Sequence, residues 1–313
     1  MAFNLQISRD AGTDALVPEQ YVAEVIQEMP RSSALLSLAR TVPMSTKTYR
    51  QPVLSLLPRA YWVTGDTGLK QTDRQDWENK TLTAEELAVI IPIPEAYLDD
   101  AAIDVWGEVR PRLAEAFGQA IDLAGLFGID KPAGWTDSAV ADHAVAAGNV
   151  VLGGAGTDLA QDVADLALKV EEDGFDVNGF ANAPGFRWRL IRLRSADGIP
   201  IYAPPAGDQP ASLYGEPLFP VMNGGWPSNE GHLLLGDWTK AVIGIRQELT
   251  MRVFTEGVIS DDSGNVILNL MQQDAVALRA VMRVGYALAN PATRINPNAT
   301  TRSPFGLLAR TGS

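Results

Sequence analysis

Residues that could carry out chemistry are few in this chain of 313 residues, and they are scattered along it. The two histidines, His143 and His232, lie far apart and in no metal-ligand spacing. There are no cysteines, which excludes disulfides, thiolate nucleophiles and cysteine-bound metals. No serine stands in an elbow or triad pattern. The sequence therefore predicts a protein that is not an enzyme and that binds neither a cofactor nor a metal.

One glycine-rich loop resembles a phosphate cradle in outline. Residues 153–156, Gly-Gly-Ala-Gly, follow an apolar run and precede a helical pattern that Thr157 or Asp158 can cap. The loop lacks the Gly-Lys-Ser/Thr ending of phosphate-binding loops and does not match the spaced three-glycine fingerprint. We interpret it as a turn before a helix. A cytosolic nucleotide-binding α/β enzyme is kept as a remote alternative.

Two charged clusters have simple explanations. The stretch Asp261–Asn265 is too short for a helix-loop-helix calcium site and indicates a tight turn. Four arginines surround Trp188, and a solvated helix face is favoured over contact with acidic neighbours or DNA. These arginines are Arg187, Arg189, Arg192 and Arg194.

The charge is acidic overall but unevenly placed. A formal net charge of −13 should repel nucleic acid. Asp274 is the last acidic residue, and two explanations of the basic end after it are equally open: a solvated tail, or docking on an acidic surface of a neighbouring copy. The charges in this end are Arg279, Arg283, Arg294, Arg302 and Arg310. No apolar run reaches the ~20 residues that cross a bilayer, so no membrane contact is expected.

The first part of the chain has the pattern of an arm followed by a ribbon. Two short helices are predicted, one with Val22, Val25 and Ile26 and one around Leu35, and either could fold back on its own core. Two strands are predicted next, Ala60–Thr64 and a returning strand with alternating Leu87, Val89, Ile91 and Ile93. The long polar connection between these strands holds an isolated Trp77. Because such a ribbon is only marginally stable alone, Trp62 and Trp77 are expected to lie on another subunit.

The remaining elements indicate an α+β fold. Apolar residues at helical spacing predict one long helix from Ile103 to Phe127, in which Pro111 should cause a kink or a restart. A middle region rich in glycine and proline follows. The late runs Lys240–Phe254 and Val276–Leu288 predict long strands, the second with one buried face.

Five stretches, taken in order, are similar to the Hong Kong 97 family of tailed-phage major capsid proteins. They cover nearly the whole chain, and the ordered set is more specific than any one of them. The stretches are Leu16–Pro18, Ala60–Val63, Leu87–Pro94 with Tyr97–Asp100, Gly236–Asp237–Trp238, and Asp274–Arg279 through Pro291.

This resemblance implies a Hong Kong 97-like fold whose copies form pentamers and hexamers of an icosahedral head around double-stranded DNA. It implies a homo-oligomer in the virion, built in the bacterial cytoplasm, with a separate scaffolding protein because no internal scaffold precedes the arm. The implied divisions are an arm (1–52), an extended loop (53–93), a peripheral part with the spine helix (94–130), an axial domain (131–235), and peripheral strands with the tail (236–313).

Several residues follow from the same resemblance. Lys70 and Lys80 lie in the extended loop, where some relatives crosslink a lysine to an asparagine. The expected contacts between subunits are Val22, Val25, Ile26, Trp62, Lys70, Trp77, Val89 and Ile91. An encapsulin-type nanocompartment, which shares the fold and holds a protein cargo, is the alternative.

Overall fold

The computed structural model describes residues 32–64, 68–101, 104–153, 158–193, 202, 211–261 and 263–310. Its helices are α1 (Ala34–Leu38), α2 (Glu95–Asp100), α3 (Val105–Phe127), α4 (Val140–Ala147), α5 (Leu159–Glu172) and α6 (Phe186–Ile191). The strands before residue 200 are β1 (Arg40–Pro43), β2 (Thr48–Leu56), β3 (Asp76–Thr83), β4 (Glu85–Pro94), β5 (Val150–Leu152) and β6 (Gly179–Asn182). The later strands are β7 (Ser212–Leu213), β8 (Glu216–Pro220), β9 (Leu233–Gly236), β10 (Ala241–Phe254), β11 (Val258–Ser260), β12 (Val266–Asn269), β13 (Ala275–Leu288) and β14 (Phe305–Ala309).

Two sheets organise the described chain. A four-stranded sheet has the order β1-β10-β13-β4, and its long strands β10 and β13 pair antiparallel. A six-stranded sheet has the order β5-β14-β9-β6-β8-β7. Two further pairs stand apart, β2 with β3 and β11 with β12. The mixture of helices and sheets confirms the predicted α+β class.

Helix α3 is the spine that the sequence predicted. Its apolar residues recur every three or four positions, so that Leu113, Phe117 and Ile121 share one buried face. The helix runs through Pro111 without interruption, so a restart there is wrong. It ends at Gly128, whose φ of +71° lets its N–H reach back to the carbonyl of Ala124. At 23 residues the spine is about 35 Å long.

The six-stranded sheet is covered on both faces. Side chains alternate along β9, so Leu233 and Leu235 pack with α5 and α6, whereas Leu234 packs with α3 and α4. All three leucines are fully buried. Asp158, one of the two residues that the sequence offered as a cap, caps α5 by accepting the N–H of Gln161. This unit forms a three-layered core in which the central strands β6 and β9 are buried on both faces.

The predicted pairing of the ribbon strands is wrong. Residues 60–64 are not a strand, and the two paired strands are β2 and β3. The expected return strand, β4, pairs with β13 instead and belongs to the four-stranded sheet. Its alternation reflects packing on its own core, because the side chains of Val89 and Ile91 contact the main apolar cluster. Residues 85–94 therefore do not belong to the extended loop.

Two other predicted divisions need correction. Strand β14 lies between β5 and β9, so residues 305–309 belong with the six-stranded sheet and not with the strands after Gly236. Within the predicted arm, α1 packs on α3 and β1 joins the four-stranded sheet beside β10. For the second short helix, folding back on its own core is thus the correct interpretation. Strand β13 is buried on both faces except around Arg279 and Arg283.

Candidate assembly surfaces

The base of the β2–β3 ribbon is attached to its own chain. Leu82 is fully buried beside Met44 and Val242 of the four-stranded sheet. Further along the ribbon, the carbonyl of Leu54 accepts the N–H of Ala292 at 2.8 Å. One end of the ribbon therefore has a fixed direction relative to the body.

The far end of the ribbon leaves large apolar side chains in solvent. Trp62 is 99% exposed, Leu69 is 92% exposed, and Trp77 on β3 is 63% exposed. The loop between the strands is held in shape by polar contacts, such as the bond from the N–H of Arg59 to Asp73. This backbone bond is the main reason that the pKa of Asp73 is lowered. A shaped loop that exposes two tryptophans is typical of a contact surface.

The other predicted contact residues lie in different settings. Val89 and Ile91 lie in β4, half-buried against their own core, and their contact with a neighbouring copy stays a prediction. Val22, Val25 and Ile26 lie outside the described residues.

The two lysines of the extended loop differ. Lys70 is exposed at the far end of the ribbon. Lys80 lies on β3, where its ammonium group is 3.2 Å from the carboxylate of Asp137. Asp137 also accepts the N–H of Leu288, so Lys80 helps to hold the ribbon base on the four-stranded sheet. For a crosslink, Lys70 is the more accessible lysine of the two.

A buried carboxylate that the sequence did not single out anchors the start of the described chain. Asp122 on α3 is 0% exposed and accepts four hydrogen bonds, from Ser33 Oγ at 2.6 Å, the N–H groups of Ala34 and Leu35, and Asn223 Nδ2 at 2.7 Å. Burial raises the pKa of Asp122, and the four donors partly offset this rise. The signal was an acid inside an apolar helical stripe, between Ile121 and Leu123.

A second surface missed from the sequence is the outer face of the four-stranded sheet. Arg252 on β10 and Arg279 on β13 are direct cross-strand partners, and both are exposed. They line an open groove of about 530 Å³ together with Arg283 and Ile90. Like charges directly opposite each other are unfavourable in a sheet, so this pair of arginines is not explained by the stability of the sheet.

The Gly236-Asp237-Trp238 element is a buried junction between the two sheets. Gly236 has a φ of +150°, and a Cβ there would collide with the carbonyl of Pro304. Asp237 accepts from the N–H of Thr239 and is 3.1 Å from Lys240 Nζ. Trp238 is 2% exposed and donates its indole N–H to the carbonyl of Gly179. The three residues fix where the chain passes from β9 into β10.

The histidines serve the packing of the chain. His143 contacts Ser303 Oγ at 2.9 Å, and burial lowers its pKa. His232 is 8% exposed and lies 2.9 Å from Arg189. Among the described residues no group of three or more His, Asp or Glu side chains could hold a metal ion.

The structure also describes parts of the glycine-rich loop and of the two charged clusters that the sequence analysis interpreted as structural. Gly153 donates its N–H to Ala309, and residues 154–157 of the same loop lie outside the described part. Asp261 accepts the N–H groups of Ser263 and Asn265, which makes a tight turn between β11 and β12. Arg187, Trp188 and Arg189 of α6 are exposed, as is Arg192 directly after the helix, and Arg194 is not described.

The basic end of the chain is not a solvated tail. Arg302 is 1% exposed and bonds to the side chain and carbonyl of Asn290. Arg283 pairs with Glu86, and Arg294 donates to the carbonyl of Pro58. Arg283 and Arg294 therefore attach the last part of the chain to β4 and to the ribbon, whereas Arg302 holds together the segment after β13.

Comparison with known proteins gives a consistent result. The model of the phage capsid family matches residues 13–293. The chain belongs to the phage capsid family. It is 27% identical over 282 residues to the major capsid protein of Staphylococcus phage 80alpha, an alignment that covers 88% of this chain and 83% of that protein.

Solved structures agree with this family. One from Microbacterium phage Oxtober96 is 39% identical, with a TM-score of 0.86 over 98% of this chain and 100% of that chain. One from Mycobacterium phage Adephagia is 32% identical, with a TM-score of 0.86 over 98% and 99%. These findings confirm the predicted family, the Hong Kong 97-like fold and the function of a phage capsid protein in the virion. In the part of the capsid protein that the structure describes, no helix is long and apolar enough to cross a bilayer.

Proposed function

We propose that this chain is the major capsid protein of a tailed phage, and that its copies form pentamers and hexamers of an icosahedral head enclosing double-stranded DNA. The observation that carries the proposal is the ribbon, whose base is fastened to the body while Trp62 at its far end is 99% exposed. Large apolar side chains exposed together at the end of a shaped arm are typical of a surface that a partner covers.

The size of the exposed surface supports a contact between copies. A tryptophan buries about 150–250 Å² when it is covered, so Trp62 and Trp77 alone supply a substantial part of an interface. Obligate interfaces between copies bury about 2,000–5,000 Å² in total. Because every copy in a shell contributes the same ribbon, contacts of modest strength add up over the closed particle.

The corrected division of the chain fits this role. The six-stranded sheet with α4, α5 and α6 would form the axial domain, and the four-stranded sheet with the spine α3 would form the peripheral one. We propose assembly in the bacterial cytoplasm on a separate scaffolding protein. The net charge of −13 supports only loose proximity to DNA, because the excess of carboxylates repels phosphate groups. We infer no enzymatic role.

Negative-stain microscopy of the expressed protein, alone and with a candidate scaffold, tests the proposal. Wild-type protein should form closed shells, and Trp62→Ala should fold normally but lose most of this assembly. Trp188→Ala is the matched control, because Trp188 is 68% exposed on α6 and lies outside the ribbon. A wild-type protein that remains a compact monomer at high concentration under both conditions contradicts the proposal. Shells that purify with a protein cargo in place of DNA would indicate an encapsulin.

A further inference from the structure

We propose that the arginine face of the four-stranded sheet binds the acidic α2 segment of a second copy of this chain. The arginine face is defined by Arg252, Arg279 and Arg283, and the acidic segment by Glu95, Asp99, Asp100 and Asp104. This inference rests on the proposed function as a shell subunit and names two surfaces that would meet between subunits.

The arginine face is a preorganised cationic surface. Arg252 and Arg279 face each other across β10 and β13, and the guanidinium of Arg279 lies 4.6 Å from the ring centre of Phe254. In the described chain, no carboxylate lies within salt-bridge distance of Arg252 or Arg279. Only Arg283 has an acidic partner in this groove, Glu86. The repulsion between the two opposed arginines is relieved by an anion that reaches both.

The acidic segment is its counterpart in charge. Between Lys80 and Arg110 the sequence contains no lysine or arginine, although several acidic residues lie there. Glu95, Asp99 and Asp100 are exposed on α2, and Asp104 is exposed just before α3. None of these four carboxylates forms an ion pair within the part of the chain that the structure describes. The exposed Tyr97 adds an apolar contact to the same segment.

The two surfaces cannot meet within one copy. Ile90 of β4 is the cross-strand partner of Arg279, and α2 begins at Glu95, five residues further along. Five residues of extended chain span about 17 Å, which is several times the length of an ion pair. The acidic segment continues directly from β4, the edge strand of the sheet, and its four carboxylates are exposed to a second copy. A contact from one surface to the other surface of the next copy is heterologous, and such contacts form a ring where the rotation between copies closes.

A second copy suits the arginine face better than other anions. DNA would have to approach Glu86, which lines the same groove, on a chain with a net charge of −13, and like-charge contacts of that kind are unfavourable. The ribbon carries cations and anions in nearly equal number, so it has no excess of negative charge to offer. The acidic segment has four carboxylates without a local cation.

Charge exchange between the two surfaces is the test. Three variants are compared in the assembly reaction with scaffold: R252E/R279E, D99K/D100K and the combination of all four changes. Each double variant should lower the assembled fraction about tenfold or more, which corresponds to about 1.4 kcal/mol. The combined variant should restore assembly to near the wild-type level, because the signs of both surfaces are exchanged together. Thermal unfolding of each purified subunit shows that it is folded, and R252Q/R279Q replaces the glutamate pair if that pair unfolds the protein.

The control and the outcomes separate this inference from the proposed function. R187E/R192E changes two exposed arginines, on α6 and directly after it, and should assemble like the wild type. If the combined variant is no better than the double variants, or if R252E/R279E assembles normally but retains less DNA, the inference is wrong and the shell function stands. If wild-type protein forms no shell, the proposed function fails first.

Discussion

The two main sheets of this capsid protein are buried to different degrees within one copy. The six-stranded sheet has helices on both faces, and residues such as Leu234 and Phe305 are completely buried. The four-stranded sheet packs on the spine with one face, and the middle of its other face exposes Arg252 and Arg279. The buried six-stranded sheet stabilises the single subunit, whereas the four-stranded sheet has the exposed surface that we propose for contact with neighbouring copies.

The largest expected effect is a difference in unfolding free energy between a change in the buried six-stranded sheet and a change in the exposed ribbon. Phe305→Ala should lower the free energy of unfolding by about 3–5 kcal/mol, because Phe305 is 0% exposed and packs edge-on against Trp238 at 5.1 Å. The matched change in the ribbon, Trp77→Ala, should alter it by no more than about 0.5 kcal/mol, because Trp77 is largely exposed. Urea unfolding of the two subunits measures both values. Equal losses would show that the ribbon is part of the monomer core, and would contradict the distinction between a buried core and an exposed assembly surface.

A smaller effect is expected at Asp122, the buried carboxylate on the spine that links α1 to Asn223. Asp122→Ala removes the acceptor for donors from α1, which precedes the four-stranded sheet, and from Asn223, which follows β8 of the six-stranded sheet. Leaving these buried donors without partners should cost about 2–3 kcal/mol. Hydrogen exchange of the amides of Ala34 and Leu35 should also become faster. Asp165→Ala on the exposed side of α5 is the control, and a similar loss there would show that the effect is not specific to Asp122.

The smallest effect depends on pH and concerns His232, next to the six-stranded sheet. Burial, with the nearby charges of Arg189 and Arg310, lowers the pKa of His232 from 6.5 to about 4. The unfolded chain therefore takes up the proton first as pH falls, so the stabilising contribution is complete above pH 6.5 and is lost between 6.5 and about 4. The expected loss is on the order of 2 kcal/mol.

Unfolding of wild type and His232→Gln at neutral pH and near pH 4.5 measures this contribution, since glutamine does not titrate. The wild type should lose more stability than His232→Gln over this interval. His143→Gln keeps His232 and should still show its contribution. Identical pH dependence in wild type and His232→Gln would refute the assignment.

Much of the fold could be predicted because the relevant signals are local. The spine at 105–127, the Asp158 cap of α5, and the long strands β10 and β13 all follow from spacing and capping residues. The exposed tryptophans of the ribbon agree with the expected contact surface, although their contact with a neighbour stays a prediction. The buried Asp122 could not be found, because its partners Ser33 and Asn223 are far away in the sequence.

The sequence by itself determined the spine helix, the α5 helix, the long late strands and where charge is segregated, because these properties depend on neighbours a few residues away. Only the tertiary structure decided that β4 pairs with β13, that β14 enters the six-stranded sheet, and that Arg252 lies opposite Arg279. Strand partners are chosen by burial of whole faces between distant segments, and a period of two residues contains no information about which distant strand will supply the other side.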